Sequence, residues 1–148
     1  MEILAPITGR AVPLTEVPDE VFAQGMAGNG GAIVPASSGE ALAPISGTLV
    51  KLFEGGHAFG IEGDEGIELI VHVGLDTIEM RGGFERLAVE GDRVKAGQPV
   101  VRFDLEEIRN AGYDPITPVI VTNPEDHPVS NPRSDEVRAG EPLFEAGD

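Results

Sequence analysis

The sequence predicts an all-β fold, an antiparallel β-sandwich or barrel with two short helical segments. Three observations predict it. Turn formers are abundant, with 20 Gly and 12 Pro in 148 residues. They are spread along the chain and not pooled in a linker, so no domain boundary is visible and residues 1–148 read as a single domain. The apolar runs between them are too short for helices of any length, and short strands at such spacing mark a sandwich or barrel.

In chain order, the first punctuation is Thr8-Gly9, closing Ala5–Gly9 (APITG). Val17–Ala23 (VPDEVFA) reads as a short helix, because Pro18, Asp19 and Glu20 suit a first turn with unpaired N–H groups and a positive dipole end. Glycine clusters at Gly28-Asn29-Gly30-Gly31 and Ser37-Ser38-Gly39 lead to Ala43–Gly47 (APISG), an echo of the first segment. Thr48–Phe53 (TLVKLF) is a strand. Residues 57–62 and 67–73 form a predicted hairpin about Gly63-Asp64-Glu65-Gly66. After turns at Gly82-Gly83 and Gly91-Asp92, residues 91–99 (GDRVKAGQP) have their own echo in residues 134–142 (SDEVRAGEP). The two short repeats point to internal pseudo-symmetry within one sandwich. Val100–Phe103 is a strand. Asp104 opens a second short helix as its N-cap with Glu107 three residues on, Gly112 suits its C-terminal cap, and Pro115 prevents continuation. Val119–Thr122 is a strand, and the Pro-rich stretch 123–132 reads as a long surface loop before the last strand.

Composition excludes several functions. Ten Lys and Arg against 26 Asp and Glu leave a net charge of −16, which repels nucleic acid and anionic membranes. With no cysteine there is no disulfide, thiolate metal site or Cys nucleophile. The start lacks a basic region and a long apolar run, and no stretch approaches 18 apolar residues, so neither a signal peptide nor membrane insertion is expected. A cytoplasmic location is expected.

Chemistry centres on three histidines, His57, His72 and His127. In 67–73 the residues Ile67, Leu69, Val71 and Val73 share one face, and Glu68, Ile70 and His72 share the other. An antiparallel hairpin about 63–66 sets position 57 opposite roughly position 72, where Cβ atoms lie about 4.5–5.5 Å apart. Both imidazoles are then expected to face each other in a depression open to a docking protein. Such a pair allows metal binding, acid–base catalysis, or nucleophilic catalysis in which one imidazole takes a phosphoryl group and the other stabilises the charge. Phosphate-binding loop signatures are absent, so handled phosphate is expected to arrive on another protein.

Leu69–Thr77 (LIVHVGLDT), His57-Ala58-Phe59, residues 17–22, Gly82-Gly83-Phe84, residues 90–97, Phe103-Asp104-Leu105 and residues 117–123 resemble, in order, segments of the glucose-type enzyme IIA family of the bacterial phosphoenolpyruvate-dependent sugar phosphotransferase system. The resemblance runs from about residue 3 to 145. It implies a β-sandwich phosphotransferase that requires no cofactor. His72 would accept a phosphoryl group on Nε2 from the histidine phosphocarrier protein and pass it to a cysteine of the IIB domain of a sugar permease. His57 would stabilise the group in transit. It also implies that His57 and His72 can serve as ligands to a zinc ion together with a partner's carboxylate, and that the chain can bind permeases or metabolic kinases in regulation.

Asp19, Val21, Phe22, Phe53, Ile70, Asp76 and Ile78 match the rim of the family's site. The apolar members would exclude water from a labile phosphohistidine and the acids would steer a basic partner. Gly55 stands where the family often has threonine, which removes a hydroxyl that could orient His57. His127 has no counterpart and reads as an exposed loop residue. Two other readings are weaker. A zinc hydrolase of the barrel-like peptidase type needs a His-x-His pair, which is absent. A lipoyl- or biotinyl-like carrier needs a lysine at a tight hairpin tip, and neither Lys51 nor Lys95 has the expected neighbours.

Overall fold

The two repeated sequences build the same local structure twice. In a computed structural model, which describes residues 1–147, the Ala5 N–H donates to the Glu141 carbonyl while the Ala5 carbonyl accepts from Gly140. Ala43 makes the same pair with Gln98 and Gly97. The hydroxyl of Thr8 accepts from the Ala139 N–H at 3.0 Å, and that of Ser46 accepts from the Ala96 N–H at 2.9 Å. Gly9 and Gly47 close the two copies. A Cβ on either would lie 2.1–2.2 Å from a carbonyl of the neighbouring strand, so only glycine fits.

Between these anchors the chain forms β1 (Glu2–Leu4), β2 (Gly9–Pro13), α1 (Glu20–Ala23), β3 (Asn29–Pro35), β4 (Gly39–Leu42), β5 (Gly47–Leu52), β6 (Ala58–Gly63) and β7 (Glu68–His72). It continues through β8 (Phe84–Arg86), β9 (Arg93–Val94), β10 (Pro99–Phe103), α2 (Leu105–Asn110), β11 (Thr117–Val121), β12 (Val129–Ser130), β13 (Glu136–Val137) and β14 (Pro142–Ala146). The strands pair antiparallel in a large sheet of order β13-β2-β3-β11-β7-β6-β5-β9 and two three-stranded sheets, β1-β14-β12 and β4-β10-β8. This is the all-β sandwich that the sequence predicts.

The inward faces of β6 and β7 supply Phe59, Ile61, Leu69 and Val71, each at most 2% exposed, to a core shared with Ile3, Leu49, Phe103 and Phe144. Burying one such side chain contributes about 1.5–3 kcal/mol. A second apolar cluster (Val12, Leu14, Val17, Ala32, Leu75, Ile116 and Ile120) seats Phe22.

Two sequence expectations shift. The first helix is a 3-10 turn at Leu14–Glu16 followed by a four-residue α1, because Asp19 does not enter the helix but caps it, accepting from the Val21 N–H at 2.9 Å. The 123–132 stretch contains the short strand β12. Asp104 caps α2 as expected, accepting from the Glu107 N–H, and Gly112 adopts a positive φ of 88° beyond it.

Candidate functional site

The β6–β7 hairpin carries both histidines, in a register one residue from the expected one. Ala58 lies opposite His72, and His57 is reached through its carbonyl, which accepts from the Val73 N–H at 2.7 Å. The cause is the turn. Gly66 takes φ +89°, and Gly63 both donates to the Ile67 carbonyl and accepts from the Gly66 N–H, giving a three-residue loop in place of four. His57 thus precedes β6, where strand alternation no longer sets its direction, and its ring still meets that of His72 at 5.1 Å between centroids.

His72 ends β7, half-buried, on the sheet face it shares with Ile70. Its Nδ1 lies 2.5 Å from the Gly74 carbonyl oxygen. A carbonyl only accepts, so Nδ1 carries the proton and Nε2 keeps a free lone pair. Gly74 turns that carbonyl back with φ +81°, and a Cβ there would lie 2.6 Å from Thr77 Cγ2. The Thr77 hydroxyl locks the same loop by donating to the Val73 carbonyl at 2.7 Å.

His57 is 2% exposed, so the expectation that both imidazoles lie open to a docking protein is corrected: only His72 reaches the surface. Neither ring nitrogen of His57 has a hydrogen-bond partner among the described residues. Gly55 is the local reason on one side, for a Cβ there would lie 3.6 Å from Nδ1 and glycine brings no hydroxyl. Burial, aided by repulsion from His72, pushes the pKa of His57 from 6.5 down to about 4. Burial also lowers that of His72, opposed by the Gly74 carbonyl, Asp76 and Asp19. The pair is therefore neutral at neutral pH, as a nitrogen nucleophile requires.

The remaining sequence-predicted residues fall around this pair. Phe22 stands 6.0 Å from the His72 ring and Phe53 5.0 Å from the His57 ring, centroid to centroid. Val21, Ile70 and Ile78 are exposed. Asp19 and Asp76 act on His72 through charge, and Asp76 takes a left-handed φ of 60°. Ile78 and Phe53 line a cavity of about 760 Å³ beside His57 together with Lys51, Glu54, Gly55, Met80, Arg81, Gly82 and Phe84. His127 is half-buried and not exposed, near Gly66 at the other end of the hairpin. Among the described residues no group of three or more His, Cys, Asp or Glu could hold a metal, so His57 and His72 offer two donors and a third must come from outside the chain. No helix among them is long and apolar enough to cross a membrane.

Residues 1–127 match the model of the family described as phosphoenolpyruvate-dependent sugar phosphotransferase system, EIIA 1. The chain belongs to that family. It is 48% identical over 122 residues to the PTS system glucose-specific EIIA component of Staphylococcus aureus (strain COL), covering 82% of this chain and 73% of that protein. It is 46% identical over 129 residues to the PTS system beta-glucoside-specific EIIBCA component of Bacillus subtilis (strain 168), covering 86% of this chain but only 21% of that longer protein. Among solved structures, the glucose permease IIA from Mycoplasma capricolum superposes with a TM-score of 0.90 at 37% identity, covering 97% of this chain and 94% of that one. As an EIIA-family chain the protein is a component of a sugar phosphotransferase system, and the hydrolase and carrier readings gain no support. Lys95 flanks a turn whose centre is Ala96-Gly97 and so does not occupy a carrier's tip.

Around the EIIA histidine pair, Lys51, Met80, Arg81 and Phe84 were not singled out as site residues from the sequence. Phe84, 6.5 Å from the His57 ring, arrives from β8 in another sheet. Its signals were the Gly82-Gly83 turn that precedes it and its place in the Gly82-Gly83-Phe84 segment that resembles the family, neither of which pairs it with His57.

Proposed function

We propose that this EIIA chain relays a phosphoryl group through His72, taking it from the histidine phosphocarrier protein and giving it to a cysteine of a sugar permease IIB domain. The observation that carries the reading is the Nδ1–H of His72 on the Gly74 carbonyl, which leaves Nε2 as the nucleophile. In the first step the Nε2 lone pair attacks phosphorus as the P–N bond of the donor phosphohistidine breaks. In the second, a partner thiolate attacks phosphorus and the P–N bond to His72 breaks, returning the electron pair to Nε2. The Nδ1 proton stays in place throughout. His57, with two unengaged ring nitrogens beside His72, donates an N–H to the phosphoryl oxygens. Phe22, Phe53, Val21, Ile70 and Ile78 keep water from the phosphohistidine, and Asp19 and Asp76 draw a basic partner face.

The relay works in the cytoplasm and needs no cofactor. Zinc, where it binds, would take His57 and His72 as two ligands and the remainder from a partner protein, and would block the Nε2 lone pair by coordinating it. Loading a phosphate onto the apolar rim also suits a switch that changes affinity for permeases or metabolic kinases.

Incubation with phosphoenolpyruvate, enzyme I and the phosphocarrier protein tests the relay. One phosphoryl group should appear by intact mass, and His72→Gln should take none. An unchanged mass, or a fully labelled His72→Gln, overturns the reading. His57→Gln should slow transfer by about 100-fold while leaving the fold intact by circular dichroism.

A further inference from the structure

The charges around the histidine pair are unevenly placed, although Arg81 also borders a neighbouring cavity with Glu79 and Glu107. Asp19 and Asp76 are the carboxylates that act on His72. At the His57 end the chain gathers cations instead. Lys51 from β5 and Arg81 from the segment before β8 line the cavity with His57, and Arg86 Cγ sits 3.4 Å from where a Cβ on Gly56 would be. None of the three is ion-paired among the described residues, whereas Arg93, Arg102 and Arg133 all are. Glu54 is the one carboxylate lining that cavity. What sets the three apart is their place: three of the chain's 10 Lys and Arg gather at one rim in a chain with a net charge of −16.

A backbone irregularity aims the first of them. Leu49 pairs with Ile61 and Lys51 with Gly60, so Val50 is an extra, bulged residue in β5. Unbroken alternation would turn Lys51 into the core beside the buried Leu49. The bulge puts it on the face of Ile70 and His72, where a Cβ added to Gly60 would lie 3.7 Å from Lys51 Cβ and 3.8 Å from Ile70 Cγ1. Bulges next to functional sites re-aim side chains in this way. The ammonium then rests 5.3 Å over the Phe53 ring, the ring that packs on His57.

We infer that a protein docking on His72 carries charge of both signs, with cations against Asp19 and Asp76 and a carboxylate against Lys51, Arg81 and Arg86. The inference rests on the relay reading and deepens it. The three cations come from separate elements around an open rim, an arrangement suited to a protein surface. Nucleic acid is repelled by the acidic end and by the net charge. Complementary charge at both ends of a histidine pair fixes the rotation of the incoming partner as well as its approach rate.

The test is the second-order rate of phosphoryl transfer from the phosphocarrier protein, at low and high salt. The double variant Lys51→Glu/Arg81→Glu is compared with Lys95→Glu/Arg138→Glu, which changes net charge equally away from the site. The first should be about 10-fold slower than wild type at low salt, with the gap narrowing as salt rises, and the second should stay within about twofold. Lys51→Gln/Arg81→Gln, with smaller charge change, should fall between. Equal losses in the two double variants, or no loss in the first, overturn the inference while a labelled wild type leaves the relay standing. An unlabelled wild type overturns the relay and this inference with it. Inhibition of wild type, but not of Lys51→Glu/Arg81→Glu, by inorganic phosphate beyond that of chloride at equal ionic strength would make the occupant a free anion and overturn the docking carboxylate.

Discussion

A single hydrogen bond decides which nitrogen of His72 reacts. The Gly74 carbonyl holds the Nδ1 proton, and it points there because residue 74 has a positive φ that a side chain would strain. Gly74→Ala adds a Cβ 2.6 Å from Thr77 Cγ2 as well. This substitution should cost about 1–2 kcal/mol in urea unfolding and slow phosphoryl acceptance at least about 10-fold, because the carbonyl swings away from Nδ1 and the tautomer is no longer fixed. Thr77→Val keeps the φ and the volume but orphans the Val73 carbonyl. It should cost about 1 kcal/mol with a smaller kinetic effect. If Gly74→Ala accepts phosphate at the wild-type rate, the tautomer argument fails even if the protein is less stable.

At the scale of elements, the duplicated turn makes a paired prediction. Thr8→Val and Ser46→Ala each remove the acceptor of one N–H, those of Ala139 and Ala96. Their costs in urea unfolding should match, at about 1 kcal/mol each, and the double variant should show the sum because the two sites share no partner. Unequal costs would mean that the copies are alike in sequence but not in load. The repeat was legible because Ala-Pro-Ile-x-Gly and Asp-x-Val-x-Ala-Gly-x-Pro each recur in order, and the Asp104 cap was legible because it stands three residues before Glu107 at the end of a strand; Asp19 read as a first-turn acid, because the proline and acids around it suit a helix start at several positions. The face of His72 was legible from simple alternation. The pairing of position 57 was not, since one left-handed glycine in the turn moves the register by a residue. Lys51 was hidden for a similar reason: the bulge at Val50 interrupts the period on which a face assignment depends. Phe84 and Arg81 meet His57 only through the packing of separate sheets and loops, which no local pattern encodes.

For the whole molecule, pH sets two effects against each other. The net charge of −16 means self-repulsion, which eases as carboxylates protonate below about pH 5. His57 works in the opposite direction. Its pKa is about 4 in the folded protein against 6.5 when exposed, so the unfolded chain takes up the proton first. Stability is then full above 6.5 and is lost as pH falls toward 4. His72, also lowered, adds to the loss. Between neutral pH and about 5 the carboxylates remain largely ionised, and the histidines dominate. Over that window wild type should lose roughly 2 kcal/mol of unfolding free energy to His57 alone, since each pH unit traversed between the two pKa values removes about 1.36 kcal/mol. The groups facing His57 are the neutral His72 ring, the Phe53 and Phe84 rings, and the Lys51, Arg81 and Glu54 side chains of the adjoining cavity. None places a carboxylate within hydrogen-bond reach of its ring to rescue the imidazolium. Urea titrations of wild type and His57→Gln at neutral pH and at about pH 5 measure the difference. The His57→Gln curve should be flatter by roughly the predicted amount. Parallel losses would show that His57 already carries a proton partner in the folded state, which would also remove it as the neutral donor to a phosphoryl group on His72.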